Sequence, residues 1–204
     1  MASKTDIANM ALLRFGQKKI MNMDDEQKSA RLCKQHYDRS RREVLRSHRW
    51  NFATTRIALT ASPTTPLYRW SYQYALPEDF IRAIEINQKD IFDSVRHFAI
   101  ENGMLLTDED AVNLKYIYDE EVTTYYDALF VEALSLLLAS RVVVSLTGKH
   151  QLKSALTDEY VQVTKELAQQ IDAAENNPVI AWRPTDSRLC QSRRQGANYS
   201  PLPF

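Results

Sequence analysis

The chain has 204 residues, with 26 Lys+Arg against 26 Asp+Glu and 44% hydrophobic side chains. A net charge of zero excludes a protein that coats nucleic acid by basic excess, and the apolar content excludes an acidic disordered chain. The four glycines, at 16, 103, 148 and 196, are too scattered for a phosphate-cradling loop or a nucleophile elbow.

A first helix is predicted over residues 5–15, capped by Ser3 or Thr5 and stopped at Gly16. Its apolar stripe is Ile7, Met10, Ala11 and Leu13. Asp6 and Arg14 interrupt this end, so no secretory signal is expected. Asp24-Asp25-Glu26 then suits the N-terminus of a long helix reaching His48. That helix carries Ala30, Cys33, Tyr37, Val44 and Leu45 on one stripe. Its remaining surface is basic, with Arg31, Lys34, Arg39, Arg41, Arg42, Arg46 and Arg49.

The period changes at Trp50. Residues 51–59 read as a strand and 61–66 as a loop. Residues 68–74 alternate aromatic and polar side chains, as a half-buried strand does. Further strands are expected at 80–86, 95–101, 104–107 and 112–118, with Asn102-Gly103 as a hairpin turn. Helical period returns over 124–146, apolar on nearly every side and therefore central, and stops at Thr147-Gly148. Its charged and polar members argue for a buried helix rather than a membrane span. A last helix is predicted over 150–174, striped by Leu152, Leu156, Tyr160, Val163, Leu167 and Ile171. Residues 178–204 hold four prolines and read as an extended arm.

The expected fold is α+β and mainly α. It is an antiparallel bundle of about four helices (1–49 and 119–177) with a β-rich insertion (50–118) and a C-terminal arm (178–204). The zero net charge conceals an asymmetry. Residues 1–50 carry twelve basic and six acidic side chains, 51–177 ten and nineteen, and 178–204 four and one.

No catalytic residue, metal site or cofactor is expected. Cys33 and Cys190 lie far apart and suit free thiols in a reducing compartment. Cys33 and His36 share a helix, but two ligands do not make a metal site. Asp108-Glu109-Asp110 and Asp119-Glu120-Glu121 are read as solvated charge, the second serving a helix N-terminus. The same clusters give an alternative reading, a carboxylate pair acting on a polysaccharide. Arg39, Arg42 and Arg46 form a basic face expected to meet the acidic surface of a neighbouring subunit, with DNA phosphates as the other candidate. In the arm, Ile180, Trp182, Arg183 and Arg188 have the composition of binding anchors, and strand addition is one way to use them.

Three segments carry a family likeness. They are Trp50-Asn51-Phe52 after the Arg-rich helix, Tyr74-Ala75-Leu76-Pro77-Glu78-Asp79-Phe80-Ile81-Arg82, and Tyr116-Ile117-Tyr118-Asp119 leading to Phe130-Val131-Glu132-Ala133-Leu134. Together they resemble the tail tubular protein A family, the head-to-tail adaptor or gatekeeper-ring proteins of short-tailed bacteriophages, over residues 3–185. The resemblance implies a non-enzymatic virion structural protein. It would form a homo-oligomeric ring, a dodecamer, between the portal protein and a tail nozzle of the tail tubular protein B kind. Double-stranded DNA would pass through without sequence-specific binding. By the same analogy the arm would grip the portal or a neighbouring subunit. A tail-associated cell-wall or polysaccharide hydrolase and a DNA-packaging factor are the readings from other classes.

Overall fold

A computed structural model describes residues 2–90 and 97–164. The described residues all lie within one unit, Met1–Asp172. Helix α1 (Lys4–Leu13) is capped by Ser3, whose side chain accepts from the Asp6 amide while Asp6 returns a bond to the Ser3 amide. This capping box selects Ser3 over Thr5. The buried face is Ile7, Ala8, Ala11 and Leu12, whereas Leu13 is half exposed. After the helix, Asn9 clamps the buried Ile20 by both backbone groups, accepting at 2.8 Å and donating at 3.1 Å. Asn9→Ala strands both groups and is expected to lower stability by about 2 kcal/mol. The reading is a urea midpoint shift at unchanged slope.

Helix α2 (Lys28–Ser47) begins later than the acids at 24–26 suggest. Asp25 accepts from the Met21 and Asn22 amides instead, closing a turn, and Asp24 pairs with Lys34. The predicted stripe of Ala30, Cys33, Tyr37, Val44 and Leu45 is buried as expected. A short 3-10 turn, Asn51–Ala53, takes the place of the strand's first residues.

The strands are β1 (Thr54–Leu59), β2 (Tyr72–Ala75), β3 (Phe80–Ile86), β4 (Lys89–Asp90), β5 (Phe98–Glu101), β6 (Met104–Thr107) and β7 (Val112–Tyr118). They form two antiparallel sheets, ordered β1-β7-β3-β4 and β2-β6-β5. Two departures from expectation have backbone causes. Arg69 sits at φ 72, which breaks the extended run, so only the end of 68–74 is a strand. Asn87 and Gln88 adopt φ 48 and 67, making a tight hairpin to β4 without the usual Asn-Gly pair. The Asn102-Gly103 hairpin forms as predicted, with β5 paired to β6.

Helix α3 (Ala128–Thr147) is capped by Asp127 and ends at Gly148, whose φ of 71 suits a left-handed stop. Helix α4 (His150–Glu159) continues into a wide turn, Tyr160–Thr164. The rest of the predicted last helix and the arm lie outside the described residues.

The class is mixed α+β, but the antiparallel four-helix bundle is not what forms. The reason is length. At 1.5 Å per residue, α1 and α4 span about 15 Å each, half the reach of α2 and α3. Helices α1, α2 and α4 all pack on α3, while α1 and α2 meet only lightly. Twelve of the twenty residues of α3 are buried, and the short helices cannot cover them. Ile84 of β3, Ile117 of β7 and Trp50 complete the same core. Although α3 is long and apolar enough to cross a membrane, two-thirds of its most apolar 18-residue stretch is buried inside the protein. A second core lies between the sheets, with Tyr74 and Leu105 opposite Ile86, Val112, Leu114 and Tyr116.

Candidate functional site: a buried arginine at the helix–sheet joint

The most unusual residue is Arg41. It follows Tyr37 by four positions and precedes Val44 by three, so it completes the apolar stripe of α2 rather than its basic face. It is fully buried. Its Nη1 donates to the Glu120 carbonyl at 2.9 Å, and Nη2 donates to Asp119 at 3.2 Å and Glu121 at 3.1 Å. Asp38, one turn earlier, lies 3.8 Å away. Asp119 also accepts from Arg42 Nε at 2.8 Å. Two members of the second acidic cluster are therefore not solvated charge, Asp119 being 10% exposed and Glu120 buried, while Glu121 stays exposed. The cluster serves a buried guanidinium, and Asp127 caps α3 in its place.

Burial opposes ionisation of Arg41, but Asp119 and its other partners outweigh it and raise its pKa. The hydrogen bond from Arg41, and then its charge, hold Glu121 below the usual carboxylate range. Burial pushes Tyr126 and Tyr118 up to about 12. These displaced groups all move away from neutrality, so they hold charge and hydrogen bonds in place rather than exchange protons near pH 7. A depressed folded-state pKa stabilises above the unfolded value of 4.5 and is lost as pH falls through the folded one. Glu121 is 63% exposed, so the contribution is small. Glu121→Gln is expected to lower the urea midpoint slightly at pH 7 and to converge with the parent near pH 3, so that the fall on acidification is flatter by that same small amount.

Around this node the three likeness segments converge. The Phe130 ring lies 5.2 Å from Trp50, 5.0 Å from Phe52 and 4.8 Å from Tyr126. The Asp79 carbonyl accepts from the Asp119 amide at 2.8 Å, and its carboxylate accepts from the Tyr116 hydroxyl at 3.0 Å. Arg46 Nη1 donates to the Ile81 carbonyl at 2.7 Å, and Arg82 donates back to the Arg46 carbonyl at 3.1 Å. The ring contacts and the Arg46–Ile81 and Arg82–Arg46 bonds tie a helix to a strand or to the turn that launches one, and the Asp79 contacts tie the turn before β3 to β7 and its exit.

Of the predicted basic face, Arg42 and Arg46 are exposed but engaged within the chain as described, and Arg39 is exposed on the same helix. Ile180, Trp182, Arg183 and Arg188 lie outside the described residues. Burial raises the Cys33 thiol to about 11, which suits a packed side chain rather than a thiolate ligand or nucleophile. No group of three or more His, Cys, Asp or Glu poised for a metal occurs among the described residues. In the first acidic cluster, Asp108 accepts from the Ser71 amide and hydroxyl, each at 3.0 Å, and Glu109 pairs with Lys89. Lys89 draws the Glu109 pKa down, opposite to the direction a general acid requires.

No protein-family model matches this chain, and no curated protein matches it.

Proposed function

We propose that the chain is a ring-forming head-to-tail adaptor, a virion structural protein of the neck between portal and tail nozzle. The observation that carries this reading is the convergence of the three likeness segments on a single joint. Residues 50–52, 74–82 and 116–134 supply its aromatic contacts and backbone clamps. Segments engaged in core packing and backbone clamps suit a building block better than a catalyst. The joint offers fixed ion pairs and aromatic packing, and Lys89 disfavours Glu109 as the acid of a hydrolase.

On this reading the isolated chain is monomeric and assembles into a ring when the portal of its own particle is added. Native mass measurement of the chain alone and with that portal tests it. A portal that leaves the chain monomeric overturns the reading. In the same assay Trp182→Ala with Arg183→Ala is expected to weaken portal or neighbour engagement, and undiminished assembly rejects the arm as the gripping element.

A further inference from the structure

We propose that residues 179–183 of one copy add as a strand to the open edge of β1 in a second copy. The edge is one half of the argument. β1 is an outer strand of the four-stranded sheet, six residues long, with no proline or lysine and with Arg56 as its one charge. Unpaired strands of that length are ordinarily blunted by shortness, Pro, Lys or a covering segment. The other outer strands are shorter: β5, like β2, has four residues. β4 has two residues, and β2 receives a bond from the Ser62 amide to the Gln73 carbonyl at 2.8 Å. From Thr55 to Leu59, no backbone hydrogen bond other than those to β7 occurs among the described residues. In the single chain Arg56, Ile57 and Ala58 are exposed.

The position of Ile57 says what the edge lacks. It stands opposite Leu114, and Leu59 opposite Val112, and both partners are buried between the sheets. Residues directly opposite share a face, so Ile57 belongs to the inter-sheet core. It is nevertheless 41% exposed, and among the described residues no further strand extends the sheet beyond it.

The occupant is legible in the chain beyond Thr164. Pro178-Val179-Ile180-Ala181-Trp182-Arg183-Pro184 holds five residues between two prolines. Val, Ile and Trp favour strands, and proline cannot donate to a ladder, so pairing is confined to a length that β1 can match. Alternation places Ile180 and Trp182 on one face, the pair needed to extend the core over Ile57 and Leu59. Residues 165–174 as the predicted helix and 175–178 as extended chain together reach about 30 Å, the diameter of a small domain. Arm-on-edge contact is heterologous, which is the kind of interface that closes into rings. The choice of a second copy as donor of the arm rests on the ring reading above; the open edge does not.

The test is trapping by disulfide in the full-length chain, with Cys190→Ser throughout and Cys33 left buried. One tagged copy carries Ile57→Cys, the other Ile180→Cys or Trp182→Cys. Mixed with the portal under mild oxidation, they are expected to form a covalent heterodimer about tenfold faster than a control pair of Ile57→Cys with Lys153→Cys, because docking raises the local concentration. A rate equal to the control overturns the proposal. So does cross-linking confined to single chains that carry both cysteines. Ile57→Lys, an inward-facing edge charge, is expected to slow Ile180→Cys trapping through an alternative reporter at Leu59→Cys by a similar factor. Trapping that is indifferent to it also overturns the proposal. Loss of trapping with portal-driven ring formation intact rejects strand addition and leaves the adaptor reading standing.

Discussion

Arg41→Ala is expected to cost about 3–5 kcal/mol, the range for removing one partner of a buried ion pair. The loss has two sources. Asp119, at 10% exposure, keeps only the peripheral Arg42, and the Glu120 carbonyl loses its guanidinium donor. Arg42→Ala touches the same carboxylate but removes a side chain that is 62% exposed, so under about 1 kcal/mol is expected. The ratio between the two is the diagnostic, and urea unfolding followed by circular dichroism measures it. Arg41→Lys does not rescue the loss, because an ammonium cannot reach three acceptors from one planar fork. Arg41→Met combined with Asp119→Leu is expected to recover much of the loss, since it removes both buried charges together. Equal costs for Arg41→Ala and Arg42→Ala would show that the joint does not depend on the buried guanidinium.

The charge asymmetry of the sequence acquires a different meaning at this joint. The basic first segment and the acidic middle do meet, but within one chain: Arg41 and Arg42 on Asp119, and Arg14 on Glu132 and Glu159. Arg141 reaches back to Glu43 in the same way, and Lys28 donates to the Ser145 carbonyl at 2.8 Å. These contacts tie α1, α2, α3, α4 and the β7–α3 junction to one another. Charge reversal at Arg42 or Arg46 therefore perturbs the fold's own joint before any neighbour is considered. Arg39, exposed on the outer side of α2, is the cleaner probe of a contact between subunits.

What was legible from sequence followed from period. The apolar spacing of α2, the all-round apolar α3, the Asn-Gly hairpin and the strands at 80–86 and 112–118 depend on local rules, and they form as written. What was not legible needed tertiary partners. Arg41 occupies a stripe position by spacing, yet its residue type assigns it to the surface until the acids at 119–121 are brought beneath it. The bundle failed on element length: α1 is ten residues and α4 ten before the backbone widens, so sheet residues cover what helices cannot. The alternation of 68–74 mimicked a strand because Arg69 adopts a left-handed conformation that no side-chain pattern encodes. As for the candidate site, the arm was visible only as composition, and the open edge of β1 required the strand order.

Phe130→Ala is the second substitution expected to be severe, at about 3–5 kcal/mol. The ring has no exposed surface and packs within 6 Å of three others, Trp50, Phe52 and Tyr126. Phe52 and Trp50 belong to the turn that launches β1, so the cavity opens where helix α3 grips the sheet. The damage should therefore be uneven. Hydrogen exchange is expected to lose protection in β1 and β7 ahead of the α2–α3 contact, because the latter keeps its own buried residues. Phe130→Leu retains most of the volume and should cost about 1 kcal/mol. Tyr125→Ala, at a side chain 64% exposed, should cost under about 0.5 kcal/mol. Because Tyr126 links the ring cluster to the Glu120 carbonyl that Arg41 holds, Phe130→Ala and Arg41→Ala share a partner. Their combined loss should fall short of the sum by at least about 0.5 kcal/mol. Strict additivity would mean that the aromatic cluster and the buried charge are two separate fastenings rather than one joint.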